Sequence, residues 1–292
     1  MLYKIYDLNV KSDLTIENFY DVVSVNSNEF DASVKNEKFD FSEIRPKKNC
    51  NFDLYSSKNY TEIYKKSVGK FRIRNGKEIS YEPFKNIKLP NLAAYLFSNV
   101  FAYLLYQRGH IVLHASAIEI DQKAYFFSGR SGIGKSSLLN NLLSTGNHLT
   151  EDTCCLEKTK DGFSILSSLP YLKLGDGDIL DFEHDNYSTQ LDKRNRNIIS
   201  FKRISQTKRN KFTLGFFLKY GKKLRIERIN DTEALKNLLA NLVASYPHEK
   251  FLDDQQDNLS KLSEIINEGV FYNLYRDESS DFDLEAVLKI IN

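Results

Sequence analysis

Charge of one sign is what this sequence most clearly lacks. Across 292 residues, 41 Lys and Arg stand against 39 Asp and Glu, a formal net charge of +2. A generic nucleic-acid coat needs a strongly basic balance to neutralise phosphates, so that class of function is excluded. Cysteine is scarce: Cys50, Cys154 and Cys155 make no C-x-x-C pair and no Cys/His cluster with metal-ligand spacing. That excludes a disulfide scaffold and points to a reduced, cytoplasmic protein. Long hydrophobic runs are missing too. The most apolar segment, 91–106, is interrupted by Ser98 and Asn99. It falls short of the ~20 residues that span a bilayer, so it predicts a buried helix and no membrane span. Residues 1–13 hold no apolar stretch of the kind a secretion signal carries. No internal repeat or low-complexity segment is visible.

What is present is core material and one sharp motif. Hydrophobic residues make up 41% of the chain, with 20 Phe and 17 Tyr, enough for two compact domains. Gly129-Arg130-Ser131-Gly132-Ile133-Gly134-Lys135-Ser136 satisfies the pattern G-x-x-x-x-G-K-[ST] without substitution. Glycines let a run of main-chain N–H groups turn inward around an anion, and the helix that follows favours negative charge at its start. Lys135 has the reach to meet β- and γ-phosphates, and the Ser136 hydroxyl suits Mg²⁺. Residues 129–137, Ser137 included, are therefore the expected triphosphate cradle, with ATP and Mg²⁺ as the implied ligands. Lys123 to Ser128 reads as a short buried strand before the loop and Ser137 to Ser144 as a helix after it. Strand, loop and helix are the context the motif requires.

Residues 1–88 read as a β-rich amino-terminal domain. Leu2 to Val10 alternates apolar and polar residues as one half-buried strand, and Tyr20–Val25, Asn51–Tyr55, Tyr60–Tyr64 and Gly69–Arg74 follow in kind. Asn75-Gly76 predicts a hairpin turn leading to Ile79 and Tyr81. Residues 89–292 read as a phosphate-loop catalytic domain of α/β class with a mixed sheet. A helix is expected from Asn91 to about Arg108, ended by Gly109, then a strand from Ile111 to Ile120 and a tight turn at Asp121-Gln122. His148 to Glu157 reads as another strand, with Phe163 to Leu166 as its partner across a turn at 160–162. Phe212–Leu218 and Lys223–Ile229 read as strands. Helices are expected from a cap at Asp231 to Val243, near Leu259–Ile266, and from Asp281 to Ile291. Residues 193–211 hold eight Lys and Arg and no acid, which reads either as a solvated face or mobile loop, or, through Lys193, Arg194 and Arg196, as a clamp on transition-state charge or a recogniser of an acidic peptide.

On these residues a resemblance can be stated. Leu113-His114-Ala115-Ser116-Ala117, a hairpin, the loop, its helix, Gly146 and then Glu151-Asp152 resemble the catalytic core of the HPr kinase/phosphorylase family. The stand-alone members of that family, among them lasso-peptide precursor kinases, are the more similar ones; they carry a downstream Lys-Arg pair, matched here by Lys193-Arg194. The likeness covers about residues 90–245, and residues 1–90 loosely. It implies transfer of phosphate from ATP to a hydroxyl, usually serine, on a peptide or small protein, including modification of a ribosomal peptide. It implies that Asp152 acts as general base, that His114 orients Asp152 or touches the γ-phosphate, and that Lys193 and Arg194 clamp charge. The family's ring-shaped hexamers make a homo-oligomer one implied assembly. Thr153 stands where a second acid is common, and the glycine-containing signature of the bifunctional enzymes is absent. Reverse phosphorylase activity and HPr as substrate are therefore not carried over.

On an extended strand Glu151 and Asp152 would face opposite ways, so only one would face the phosphate, and Asp152 is the expected one, joining Ser136 at the metal. Glu151 is a further catalytic candidate, and Asp176, Asp178 and Asp181 are candidate extra metal acids. Cys154 and Cys155 read as packing residues, and His110, His148, His184 and His248 as surface. Two other functions stay open: a small-molecule kinase with the same core, and a non-catalytic nucleotide sensor, to which Thr153 lends support.

Overall fold

In the computed structural model, which describes residues 1–175, 188–191, 196–200, 210–243, 255–277 and 282–291, the chain opens with two strands where alternation predicts one. β1 (Leu2–Ile5) and β2 (Leu8–Ser12) form a hairpin whose two-residue turn, Tyr6-Asp7, has φ of 51° and 59°. Such a turn matches the strand twist and leaves the apolar alternation running across it, which is why the break is invisible in the pattern. Residues 20–25, expected as a strand, lie along β1 with a single bridge between Tyr3 and Ser24. β3 (Ala32–Asn36) was not expected; only Ala32 and Val34 in it are apolar, too few for a period to register. β4 (Phe52–Ser56), β5 (Tyr60–Lys65), β6 (Gly69–Arg74) and β7 (Glu78–Pro83) form the anticipated meander. The sheet order is β1-β2-β3-β7-β6-β5-β4. At the β6–β7 turn Asn75 and Gly76 both have positive φ, and a Cβ on Gly76 would lie 2.7 Å from Arg108 Cγ.

That close approach is the far end of the helical run 89–107. It consists of α1 (Leu89–Tyr95), one π-helical turn at Leu96–Val100 and α2 (Phe101–Gln107), ended by Gly109 at φ 82°. The π turn inserts a residue, and the Ser98 hydroxyl donates to the Ala94 carbonyl inside it. Almost every side chain from Leu92 to Leu105 is buried, because the helix lies between two sheets. Its apolar residues join those of the amino-terminal sheet and Val112, Cys155, Leu166 and Tyr171 in one continuous core.

The second sheet carries the phosphate loop. β8 (Ile111–Leu113), β9 (Ala115–Ile120) and β10 (Lys123–Gly129) lead into α3 (Lys135–Leu142). β11 (Asn147–Thr150), β12 (Cys154–Thr159) and β13 (Gly162–Ile165) follow. β14 (Tyr171–Leu174), β15 (Ser188–Leu191) and β16 (Arg196–Ser200), none of them expected, make a separate three-stranded sheet in the order β14-β16-β15. β17 (Asn210–Tyr220), β18 (Arg225–Arg228), α4 (Asp231–Asn241), α5 (Gln255–Glu268), β19 (Val270–Arg276) and α6 (Leu284–Ile291) complete the described chain. The nine-stranded sheet runs β11-β9-β10-β17-β13-β12-β8, with β19 beside β17 and β18 beside β19. β10, β17 and β19 are parallel and the rest antiparallel, so the fold is mixed α/β. β19 escaped the sequence reading because buried Asn273 interrupts its apolar pattern; Asn273 Nδ2 donates to Glu233 Oε1 at 2.7 Å. The cap of α4 is Asn230, whose side chain accepts from the Glu233 amide at 2.9 Å, and Asp231 is the first helical residue.

Two expected strands are each broken once, at the same level. Residues 111–120 divide at His114, so that β8 pairs with β12 while β9 pairs with β10 and β11. Residues 147–159 divide at Glu151–Thr153, where Asp152 has φ 63°. Aspartate tolerates this left-handed region better than most residues, and apolar neighbours on both sides hide the break in the sequence. His148 is 6% exposed, not a surface residue, because it lies on β11 inside the sheet. His110 is partly buried after the helix end, and burial, aided by Arg108 and Lys261, pushes its pKa down to about 4. His184, His248, Asp176, Asp178, Asp181, Lys193 and Arg194 lie outside the described residues. Among the described residues no helix is long and apolar enough to cross a membrane.

Glu62 on β5 anchors the segment after β3. Its carboxylate accepts from the amides of Ser42, Glu43 and Ile44 and from the Tyr60 hydroxyl at 2.6 Å. Burial pushes its pKa upward, but these donors outweigh burial and hold it at about 2. The folded state therefore binds fewer protons than the unfolded chain, whose Glu titrates near ~4.3. The stabilisation is complete above that value and lost as pH falls toward 2. Glu62→Gln should flatten the acid limb of a denaturation-versus-pH profile over this window. At neutral pH it should cost on the order of 2–3 kcal/mol.

Candidate active site

β10 is buried from Ala124 to Gly129 and delivers the chain to the loop at the edge of a cavity. Gly129 is required by packing: a Cβ there would lie 2.8 Å from the Leu218 carbonyl on the parallel neighbour β17. Gly132, at φ 87°, faces open space on its α-carbon side, which leaves the concave loop accessible to an anion. Lys135 opens α3 and folds back, its Nζ donating to the carbonyls of Gly129 at 2.9 Å and Arg130 at 3.3 Å. Burial lowers its pKa, while the charges of Asp152 and Glu151 act in the opposite direction. The ammonium thus holds the loop curved around itself, in the place where it would meet phosphate oxygens.

The two carboxylates after α3 part company at the break between β11 and β12. Glu151 is fully buried, accepting from Ser136 Oγ at 2.5 Å and from Ser116 Oγ on β9 at 2.9 Å. Burial first, then the adjacent Asp152 charge, raises its pKa. The carboxylate that accepts from the Ser136 hydroxyl is thus Glu151, one residue before the Asp152 expected to join Ser136 at the metal. Asp152 turns into the cavity, 16% exposed, and forms an ion pair with Lys173 of β14, itself 7% exposed. Burial works upward on Asp152, but Lys173 and then His114 hold its carboxyl well below the usual range. The expectation that only one of the two acids can face the phosphate assumed an extended strand. On the left-handed turn at 152 the two acids still diverge, Glu151 lying beneath Ser136 and Asp152 facing the open space.

His114 sits at the opposing break, and its hydrogen bond goes to the main chain of Asp152, not to the carboxylate. Its Nδ1 lies 3.0 Å from the Asp152 carbonyl, so it fixes the main chain of the turn. Burial, with Lys135 adding to it, lowers its pKa, and because a carbonyl only accepts, Nδ1–H is the donor. The same turn is held from below by the Tyr6 hydroxyl and by Thr150 Oγ1, which donate to the Thr153 carbonyl at 3.2 and 2.6 Å. Cys154 and Cys155 are buried free thiols pushed upward by that burial, as packing residues are.

Lys173, Ser116 and Tyr6 were not anticipated. Lys173 lies between Leu172 and Leu174 in a four-residue strand, an alternation too short to read. Ser116 and Tyr6 act through contacts across 35 and 147 residues, which leave no local signal. The cavity measures about 1410 Å³ and runs from Gly129, Arg130, Asp152 and His114 to Phe52, Ile63 and Lys65 of the amino-terminal sheet.

Ser136 and the two carboxylates are hard oxygen donors of the kind Mg²⁺ prefers when it shares its shell with phosphates. The orientation of the Ser136 hydroxyl toward Glu151 and the open face of Gly132 fit that group. No protein-family model matches this sequence, and no curated protein does. Among solved structures, the HPr(Ser) kinase/phosphatase from Coxiella burnetii is similar at 12% identity, over 62% of this chain and 87% of that one. The TM-score is 0.29, too low to carry an argument.

Because Lys173 and Asp152 are both largely out of water, removing one leaves the other uncompensated. Lys173→Met should destabilise the protein by on the order of 3 kcal/mol in denaturant unfolding. Adding Asp152→Asn should recover part of that loss, a coupling that a double-mutant cycle measures directly.

Proposed function

We propose that this protein is an ATP-dependent kinase that transfers the γ-phosphate to a serine-type hydroxyl of a peptide or small protein. The observation that carries the reading is the division of labour at Glu151-Asp152. One carboxylate is placed against the Ser136 hydroxyl of a phosphate loop, and the next opens into a cavity that continues beyond the loop. Main-chain amides of residues 129–137 would bind the phosphates, Lys135 would exchange its carbonyl partners for phosphate oxygens, and Ser136 with Glu151 would hold Mg²⁺. The cation, when bound, neutralises charge on the transferred group.

In the transfer the acceptor oxygen forms a bond to the γ-phosphorus and the bond from that phosphorus to the β–γ bridging oxygen breaks. ADP departs with that electron pair, and the acceptor proton passes to Asp152. A carboxylate locked to Lys173 is a weak base, so the reading requires Lys173 to shift toward the incoming phosphate and release it. Residues 1–88 form the acceptor-side unit in this proposal, since their strands supply the far wall of the cavity.

One observation favours the rival reading of a nucleotide sensor: the candidate base is already neutralised in an ion pair. The two readings separate in a single assay. With ATP, Mg²⁺ and serine peptides, the kinase reading expects a gain of one phosphate by mass. Asp152→Asn should reduce transfer about 10³-fold while leaving nucleotide affinity nearly unchanged. Lys135→Ala should weaken binding and transfer together. Tight nucleotide binding without transfer to any acceptor would favour the sensor.

A further inference from the structure

A nucleotide on the phosphate loop would leave half of the cations that line the cavity without a task. The lining carries six cations, Lys65, Lys88, Arg130, Lys173, Arg196 and Lys219, and one carboxylate, Asp152, among the described residues. The whole chain is almost neutral at +2, so this ratio is a property of the cavity. Two of the cations are answered by protein: Lys173 by Asp152, and Lys219 by Glu233 at 3.1 Å. Lys65, Lys88 and Arg196 have no carboxylate partner among the described residues. Arg196 Nε is buried without a hydrogen-bond acceptor among the described residues, a cost that a bound anion would remove. Lys65, over the Phe52 ring, and Lys88 belong to the amino-terminal wall of the cavity and not to residues 129–137, which would hold nucleotide phosphates.

We infer that the acceptor is a polypeptide segment with Asp or Glu side chains flanking the hydroxyl that receives phosphate. The inference deepens the kinase reading and takes its acceptor site from it. A cleft walled by one sign of charge concentrates ligands of the other sign and selects among them chiefly by rejecting like charge. Arg196 meets the carboxylate nearest the acceptor hydroxyl. Lys65 and Lys88 meet those further along, while the aromatic and aliphatic wall takes the apolar side chains between them.

The test uses the full chain and two fluorescent peptides with one central serine, flanked by Asp and Glu in one and by Asn and Gln in the other. Binding is read by anisotropy at two salt concentrations, and transfer by mass with ATP and Mg²⁺. The acidic peptide should bind about tenfold more tightly at low salt, with the advantage shrinking at high salt. Lys65→Gln combined with Lys88→Gln should remove most of that advantage, with a melting curve confirming the fold. If the pair of changes unfolds the chain, exposed Lys88→Gln alone should still reduce it. Equal binding of the two peptides, or a preference indifferent to these lysines, would overturn the inference. Transfer without charge preference would sink the acidic acceptor and leave the kinase standing. A charge preference without transfer would sink the kinase reading and leave a cleft that binds acidic peptides without modifying them.

Discussion

The site depends on a left-handed residue in the middle of what would otherwise be a strand. Asp152 has φ 63°, a conformation that costs a non-glycine residue about 1 kcal/mol or more and persists only where the surroundings impose it. Here they do. His114 Nδ1 holds the carbonyl of Asp152, while Tyr6 and Thr150 hold that of Thr153. Without the turn, β11 and β12 would merge and one of the two acids would face away from the loop. With it, Glu151 settles under the helix start and Asp152 looks outward.

The same economy governs the charges. Each polar group of the candidate site has a partner within the protein: Lys135 has two main-chain carbonyls, Ser136 has Glu151, and Asp152 has Lys173. Burying these groups without partners would cost several kcal/mol each. These partners hold the loop and the turn at residue 152 in one arrangement.

How much of this was legible depended on the distance over which each feature is encoded. The phosphate loop, its strand and helix, and the β4–β7 meander were all visible, because motif, turn residue and alternation sit within a few positions of one another. The breaks at His114 and Asp152 were not, since apolar residues continue on either side and the cause is a contact between the two strands. Lys173 was hidden in a strand four residues long. Asn273 disguised β19, because its partner Glu233 lies 40 residues earlier. Glu151 was named as a candidate from the adjacent aspartate, but its role beneath Ser136 needed the turn geometry to become apparent.

The Tyr6 contact has a consequence for how the molecule comes into being. The hydroxyl of Tyr6 meets a carbonyl 147 residues further along, and its ring stacks on Phe101 at 5.8 Å. During synthesis, which proceeds from the amino terminus, the hairpin bearing Tyr6 emerges long before the turn it supports. It must stay competent until residue 153 has left the ribosome, and closing so wide a loop is a slow, late event. Residues 129–136 therefore emerge before the turn is finished, and the turn gains its Tyr6 support only when the first strands and the middle of the chain meet.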